Sequence, residues 1–332
     1  MRVTKLAIAL VASSLVPSSC ASYTLRNRFA GSSFFDMFSF FTSADPTNGY
    51  VSYVARDAAL DRDYIGLANH TLANNSVYIG VDHITASPGS GRESVRVTSN
   101  QTWTHGLVLI DLYHVPTGCG TWPALWFVAP EGQYPGTTGE IDVVEVVNGG
   151  SQNAMTLHTG PGCNVQNGST SSFTGTLQTA NCDVNAPGQS QNSGCSIQAS
   201  KGMKATAGSD FNANGGGTYA LVWTSAKIEV YFFARGEAQP ELHATPEPQL
   251  WTQQGHLPLA SFHGCDFDQH VKDLALVINT DFCGGWAGGT WESSGCQAST
   301  GVSTCNAFVA DNTEAFSEAY WLIGGVEVWQ ED

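Results

Sequence analysis

The chain has 332 residues, a formal net charge of −16 and only 13% charged residues, and its 36 glycines exceed the usual ~7%. Such acidity argues against nucleic acid or an anionic membrane as partner, while the sparse charge fits neither a coiled coil nor a disordered chain. The length accommodates one large β domain as readily as two smaller ones.

Residues 1–21 join Arg2 and Lys5 to an apolar stretch from Leu6 to Val16 and then Ser19-Cys20-Ala21, the three parts of a secretory signal peptide. Cleavage there leaves 22–332, in which no fixed repeat and no Pro-rich or Ser-rich linker marks a division, so a single domain is expected. The apolar stretch is short for a membrane span and the closing residues Val326 to Asp332 lack the tail of a glycolipid anchor, which predicts a soluble, secreted monomer. Cys20 leaves with the signal, and Cys119, Cys163, Cys182, Cys195, Cys265, Cys283, Cys296 and Cys305 remain, an even set that predicts four disulfides of undetermined connectivity. Without a Cys-x-x-Cys pair, a zinc ribbon or redox centre is not expected. Sequons at Asn69, Asn74, Asn100 and Asn167 are candidate glycosylation sites.

Strand-like segments follow one another: Ser76–Ile84, Ser94–Thr98, Gly106–His114, Ala124–Val128, Ile141–Val147, Ala154–Thr159, Tyr219–Thr224, Lys227–Phe233, Leu274–Asn279 and Ala319–Trp329. Trp223 to Ile228 reads as a hairpin turn. Helical periodicity is nearly absent. The list predicts an all-β, two-sheet antiparallel sandwich. Between Gly160 and Gly217 lies a long Gly-, Ser-, Asn- and Gln-rich stretch with three cysteines, expected to be a stapled loop beside a cleft.

The segment Gly139-Glu-Ile-Asp-Val-Val-Glu-Val-Val-Asn148 sets Glu140, Asp142 and Glu145 in a run with the composition of a buried strand. Glu140 and Asp142 share a face, and Glu145 is one residue out of step. A β-bulge at Val143-Val144 would return it to that face. Three acids so placed are costly without a task, and paired carboxyls are the apparatus of glycoside hydrolysis. Asp142 between the glutamates would bias which of them holds the proton. The alternative is an exposed acidic strand face.

Trp122, Trp126, Trp286 and Trp291 occur among polar or glycine neighbours, and flat indoles suit the C–H faces of sugars, although some must belong to the core. Trp122 and Trp126 share strand parity, and Trp286 lies in the glycine-rich run Cys283 to Gly289. His158 on the following strand could bond the acid/base carboxyl, and Arg96 could bind sugar hydroxyls or merely pair with acids. Gly-x-Ser-x-Gly and His-Glu-x-x-His motifs are both missing.

Taken together, Asp45-Pro-Thr-Asn-Gly-Tyr-Val51, Gly91-Arg92 with Ser94-Val95-Arg96, Gly120-Thr-Trp-Pro-Ala124, the Glu140-to-Glu145 signature, Thr156-Leu-His-Thr159 and Ala319-Tyr-Trp321 resemble glycoside hydrolase family 16. The match is to its fungal laminarinase-like endo-β-1,3(4)-glucanases, over almost the whole mature chain. The resemblance implies a concanavalin A-like β-jelly-roll sandwich with a concave substrate cleft, 22–332 forming the catalytic domain. It implies a retaining mechanism with Glu140 as nucleophile, Glu145 as acid/base and Asp142 assisting both. His158, Arg96, Asn48, Trp122, Trp126 and Trp286 match positions near the family's cleft. The bulged spacing points to β-1,3-glucan as the partner, mixed β-1,3/1,4-glucan being a further substrate; transglycosylation and a non-catalytic glucan-binding role are the alternatives. No cofactor is called for. A structural calcium is conceivable from the abundant Asp and Asn, without a loop motif to hold it. The chain departs from relatives that read Cys-Gly-Asp-Trp-Ala-Gly by carrying Gly285 in place of the aspartate.

Overall fold

The computed structural model describes residues 22–70, 73–87, 89, 91–129, 134–136, 138–165, 172–237 and 240–332. The proposed signal peptide and the Asn167 sequon lie outside them. Strands β1 (Tyr23–Phe29), β2 (Phe38–Phe40), β3 (Val51–Tyr53), β4 (Ile65–His70), β5 (Ala73–Ile79) and β6 (Arg92–Ser94) come first. Next are β7 (Arg96–Trp103), β8 (Gly106–His114), β9 (Thr121–Val128), β10 (Glu140–Glu145), β11 (Ala154–His158) and β12 (Thr176–Thr179). The chain closes with β13 (Cys195–Gln198), β14 (Gly217–Trp223), β15 (Lys227–Ala234), β16 (Ala260–His263), β17 (Leu274–Phe282) and β18 (Trp321–Glu331). Helices are short, and among the described residues none is long and apolar enough to cross a membrane.

Two antiparallel sheets are formed. One runs β16-β15-β14-β8-β18-β5-β4 with β1 also on β18, and the other runs β12-β13-β11-β10-β9-β17-β7-β2. The period of two in each strand explains their packing. From the first sheet Val108, Ile110, Leu112, Tyr219 and Leu221 point inward, and from the second Leu125, Phe127, Met155, Leu157, Leu276 and Ile278 meet them in one core. The outer face of the first sheet is also apolar, and Leu242 and Trp251 cover Leu109, Ala220, Tyr231 and Phe233 there. The outer face of the second sheet carries the polar residues of interest. The expected hairpin is present, with Trp223 paired to Ile228.

The stretch between Gly160 and Gly217 is more than a stapled loop. Its β12 and β13 extend the second sheet past β11, with Ser196 opposite Thr156. Cys182–Cys195 staples the stretch internally and Cys163–Cys265 ties it to the segment after β16. Cys119–Cys296 and Cys283–Cys305 secure the excursion between β17 and β18, so all eight candidate cysteines are paired. That excursion has its own small core, in which Trp291 is buried against Phe308 and donates to Val302 O, making it structural.

Candidate active site

On β10 the apolar residues decide the register. Ile141, Val143, Val144 and Val146 are all buried in the core. An unbroken strand would turn one of the adjacent valines outward, forfeiting roughly 1.5–3 kcal/mol of burial. A bulge avoids this: opposite β9, Asp142 faces Trp126 while Val144 already faces Leu125, and opposite β11, Asp142 faces Thr156 while Glu145 faces Ala154. The extra residue returns Glu145 to the outer face with Glu140 and Asp142.

Strand pairing assembles the surroundings. His158 lies directly across β11 from Glu140, and its Nε2 is 3.1 Å from Asp142 Oδ2 and 3.8 Å from Glu140 Oε1. The Asp142 contact is an ion pair when the imidazole is protonated. On β9, Trp122 Nε1 donates to Glu145 Oε1 at 2.8 Å, and Trp126 Nε1 donates to Asn279 Oδ1 at 2.8 Å. Arg96, across from Asn279, stacks its guanidinium 4.5 Å from the Phe41 ring centroid and 4.9 Å from that of Trp126. Its Nε is buried with no hydrogen-bond partner among the described residues. Trp286 meets Trp122 edge-on at 5.8 Å, and exposed Asn48 sits on the neighbouring turn, whose Thr47 O accepts from Gly285 N. A Cβ added at Gly285 would meet only Thr47 O, at 4.0 Å, an ordinary contact distance.

The acids are recessed rather than surface-exposed; the Glu140 side chain is 13% accessible and that of Asp142 5%. Burial, followed by the charge of Asp142, pushes the Glu140 carboxyl well above its usual range, against the opposing field of Arg96. Burial and Asp142 also raise Glu145, while the Trp122 hydrogen bond and His158 oppose the rise. For His158 burial alone would lower the pKa, but contact with Asp142 and the charges of Asp142 and Glu145 raise it on balance. The trio Glu140, Asp142 and His158 brings ligand atoms within 4.8 Å of one another, so these residues could also hold a cation.

Several residues here escaped the sequence reading. Asn279 bridges Trp126 and the Tyr53 hydroxyl, and Asp281 accepts from Thr47 Oγ1 at 2.7 Å. Their alternation at the end of an apolar strand was the available signal. Asn153 and Tyr134 offered none. Tyr134 donates to Asn192 Oδ1 at 2.5 Å beside the acids, whose charges add to burial in raising its pKa.

A sandwich that brings Glu140 and Glu145 together on one outer face is a framework suited to glycoside hydrolysis. The chain belongs to glycoside hydrolase family 16: the XgeA-like catalytic GH16 domain matches residues 38–329. It is similar to the endo-1,3(4)-beta-glucanase of Arthroderma benhamiae, 38% identical over 326 residues, which cover 97% of this chain and 68% of that protein. It is 37% identical to a probable endo-1,3(4)-beta-glucanase of Aspergillus niger over 96% of the chain, and spans 42% of that protein's length. Among solved structures, laminarinase 16A of Phanerochaete chrysosporium, holding 6-O-glucosyl-laminaritriose in donor and acceptor sites, superposes with a TM-score of 0.82 at 37% identity, covering 93% of this chain and 100% of that one. An elongating family 16 β-1,3-glucosyltransferase gives 0.79 at 36% identity, with the same coverage of 93% and 100%.

Proposed function

We propose that this chain is a secreted, endo-acting glycosidase that cleaves β-1,3-glucan by a retaining mechanism, with mixed β-1,3/1,4-glucan as a second substrate. The observation that carries the reading is the bulge, which sends Val143 and Val144 into the core and leaves Glu140, Asp142 and Glu145 together on the outer face. Glu140, whose ionised form Arg96 supports against burial and the charge of Asp142, attacks the anomeric carbon as a carboxylate while Glu145 protonates the departing glycosidic oxygen. Glu145 then removes a proton from water, which attacks the same carbon and releases Glu140. Asp142, held by His158, sets the proton distribution between them. Trp122, Trp126 and Trp286 supply faces for sugar rings, with Arg96 and Asn48 beside them. The chemistry uses the protein's own carboxyls and calls for no cofactor. Four disulfides and the exposure of Asn69, Asn74 and Asn100 suit secretion and glycosylation.

A second reading is transglycosylation, favoured by the similarity to the β-1,3-glucosyltransferase, since a sugar hydroxyl can intercept the glycosyl-enzyme in place of water. Laminarin, mixed-linkage glucan and agarose, followed by reducing ends, product length and anomeric form, discriminate these. Hydrolysis is expected to release internal fragments with the β anomer first; lengthened products with few new ends would favour transfer. Glu140→Gln is expected to lose roughly 10³-fold or more in kcat. Undiminished cleavage by that variant, or first release of the α anomer, overturns the mechanism.

A further inference from the structure

A bulge leaves backbone groups without ladder partners, and buried ones must be satisfied elsewhere. On β10 the pairing with β11 passes from Asp142–Thr156 to Glu145–Ala154, skipping Val143 and Val144. Asn153, fully buried just before β11, fills the gap: its Nδ2 donates to Val143 O at 2.7 Å and its Oδ1 accepts from Glu145 N at 2.7 Å. One planar amide thus supplies the donor and the acceptor that a peptide of β11 would have offered. The backbone that carries this amide is itself fixed, because Asn153 N donates to Thr206 Oγ1 at 2.8 Å, Asn153 O accepts from Ala199 N at 2.9 Å, and the Tyr219 hydroxyl donates to Thr206 O.

We propose that Asn153 is a positioning residue for catalysis, its side-chain amide locking the bulge that aims Glu145 at the glycosidic oxygen. The proposal rests on the reading of Glu145 as acid/base. An alanine at 153 removes both hydrogen bonds. An aspartate keeps the volume and the acceptor for Glu145 N–H but turns an oxygen toward Val143 O. In either variant the bulge can relax and Glu145 moves away from its partner atom while Glu140, on the regular side of the bulge, stays in place.

The test compares Asn153→Ala, Asn153→Asp and Glu145→Ala on laminarin and on 2,4-dinitrophenyl β-laminaribioside, with and without azide. The aryl leaving group departs without a proton, so formation of the glycosyl-enzyme no longer needs the acid. Azide then attacks the anomeric carbon as the bond to Glu140 breaks and the carboxylate leaves, again without a proton. Both Asn153 variants are expected to lose on the order of 10²-fold in kcat on laminarin, the scale of an ångström's misplacement, with KM within about threefold. On the aryl substrate azide should restore turnover and yield glycosyl azide. Equal loss on both substrates with no azide effect would mean a merely structural role, and full activity on laminarin would remove any role; either overturns the proposal. If the alanine variant fails to fold, the near-isosteric aspartate variant carries the same comparison. Failure of azide to rescue Glu145→Ala would instead sink the acid/base reading, and the proposal with it.

Discussion

At the residue scale, the proton on Glu145 is governed by opposing neighbours. Burial and Asp142 hold it on, whereas the Trp122 indole N–H, donating at 2.8 Å, stabilises the carboxylate. Removing that donor should therefore raise the Glu145 pKa further, since a charge-assisted bond favours the ionised form. The proposed acid role requires Glu145 to be protonated in the free enzyme, which assigns the alkaline limb of kcat/KM to it. Trp122→Phe keeps an aromatic face for sugar and is expected to move that limb upward by about one pH unit, the equivalent of ~1.4 kcal/mol. Lost sugar contact would scale the whole profile down without moving the limb, so the two effects separate in one pH series. A limb that stays put or moves down would show that Trp122 does not act through Glu145.

At the element scale, the sequence was most informative where a strand has one buried and one functional face. In β10 the valines and acids sort onto two faces because only a bulge accommodates both sets. Gly106–His114 was readable to its ends because its apolar run is nearly continuous, as in a strand buried on both faces. The short strands β2, β3, β6, β12 and β13 were not legible, since three or four residues give too little pattern and their pairing is set by distant partners. Asn153 and Thr47 were invisible for a related reason: they act on groups far away in sequence or on the backbone, which leaves no spacing signature. The disulfide pairing likewise depends on the fold alone. One bridge has a functional consequence. Cys283–Cys305 closes a loop of separation 22 at the root of the Gly284–Gly288 segment that carries Trp286. Replacing both cysteines by serine should lower stability by about 3 kcal/mol, the chain-entropy value for a loop of this length. Because Trp286 is the residue loosened, KM for laminarin should rise several-fold with little change in kcat. Thermal melts and steady-state kinetics check the two parts, and an unchanged KM would detach Trp286 from substrate binding.

At the scale of the whole molecule, 29 acidic residues against 13 basic ones leave few cations to pair with buried carboxyls, so some must keep their protons. Asp281 is the clearest case outside β10. It is 3% exposed, and Thr47 Oγ1 lies 2.7 Å from its Oδ2 and 2.5 Å from Asp45 Oδ2. A hydroxyl has one proton to donate, so it can satisfy one carboxylate only, and the other acid must supply the second hydrogen. Burial and the charge of Asp45 raise Asp281 to about 7, although Thr47, the Phe282 N–H and Arg96 pull the other way. Gly49 makes the junction possible, since a Cβ there would sit 1.9 Å from Asp281 Oδ1. The cluster thereby joins the turn bearing Asn48, strand β17 and the Trp286 segment into one wall beside Trp122. Its linkage to stability has a definite sign. Between the unfolded value near 3.8 and the folded value of about 7, the native state binds a proton that the unfolded chain does not. Stability is therefore full below about pH 4 as far as this group is concerned and declines as pH rises toward 7, by up to about 1.4 kcal/mol per unit. Glu140 and Glu145, also raised, act in the same direction. Asp281→Asn isolates one contribution, because an asparagine reproduces the protonated hydrogen-bond pattern without a charge. Melting temperatures from pH 4 to 8 should fall less steeply for this variant than for the parent, the two curves meeting at the acid end. Parallel curves would show that Asp281 is ionised throughout.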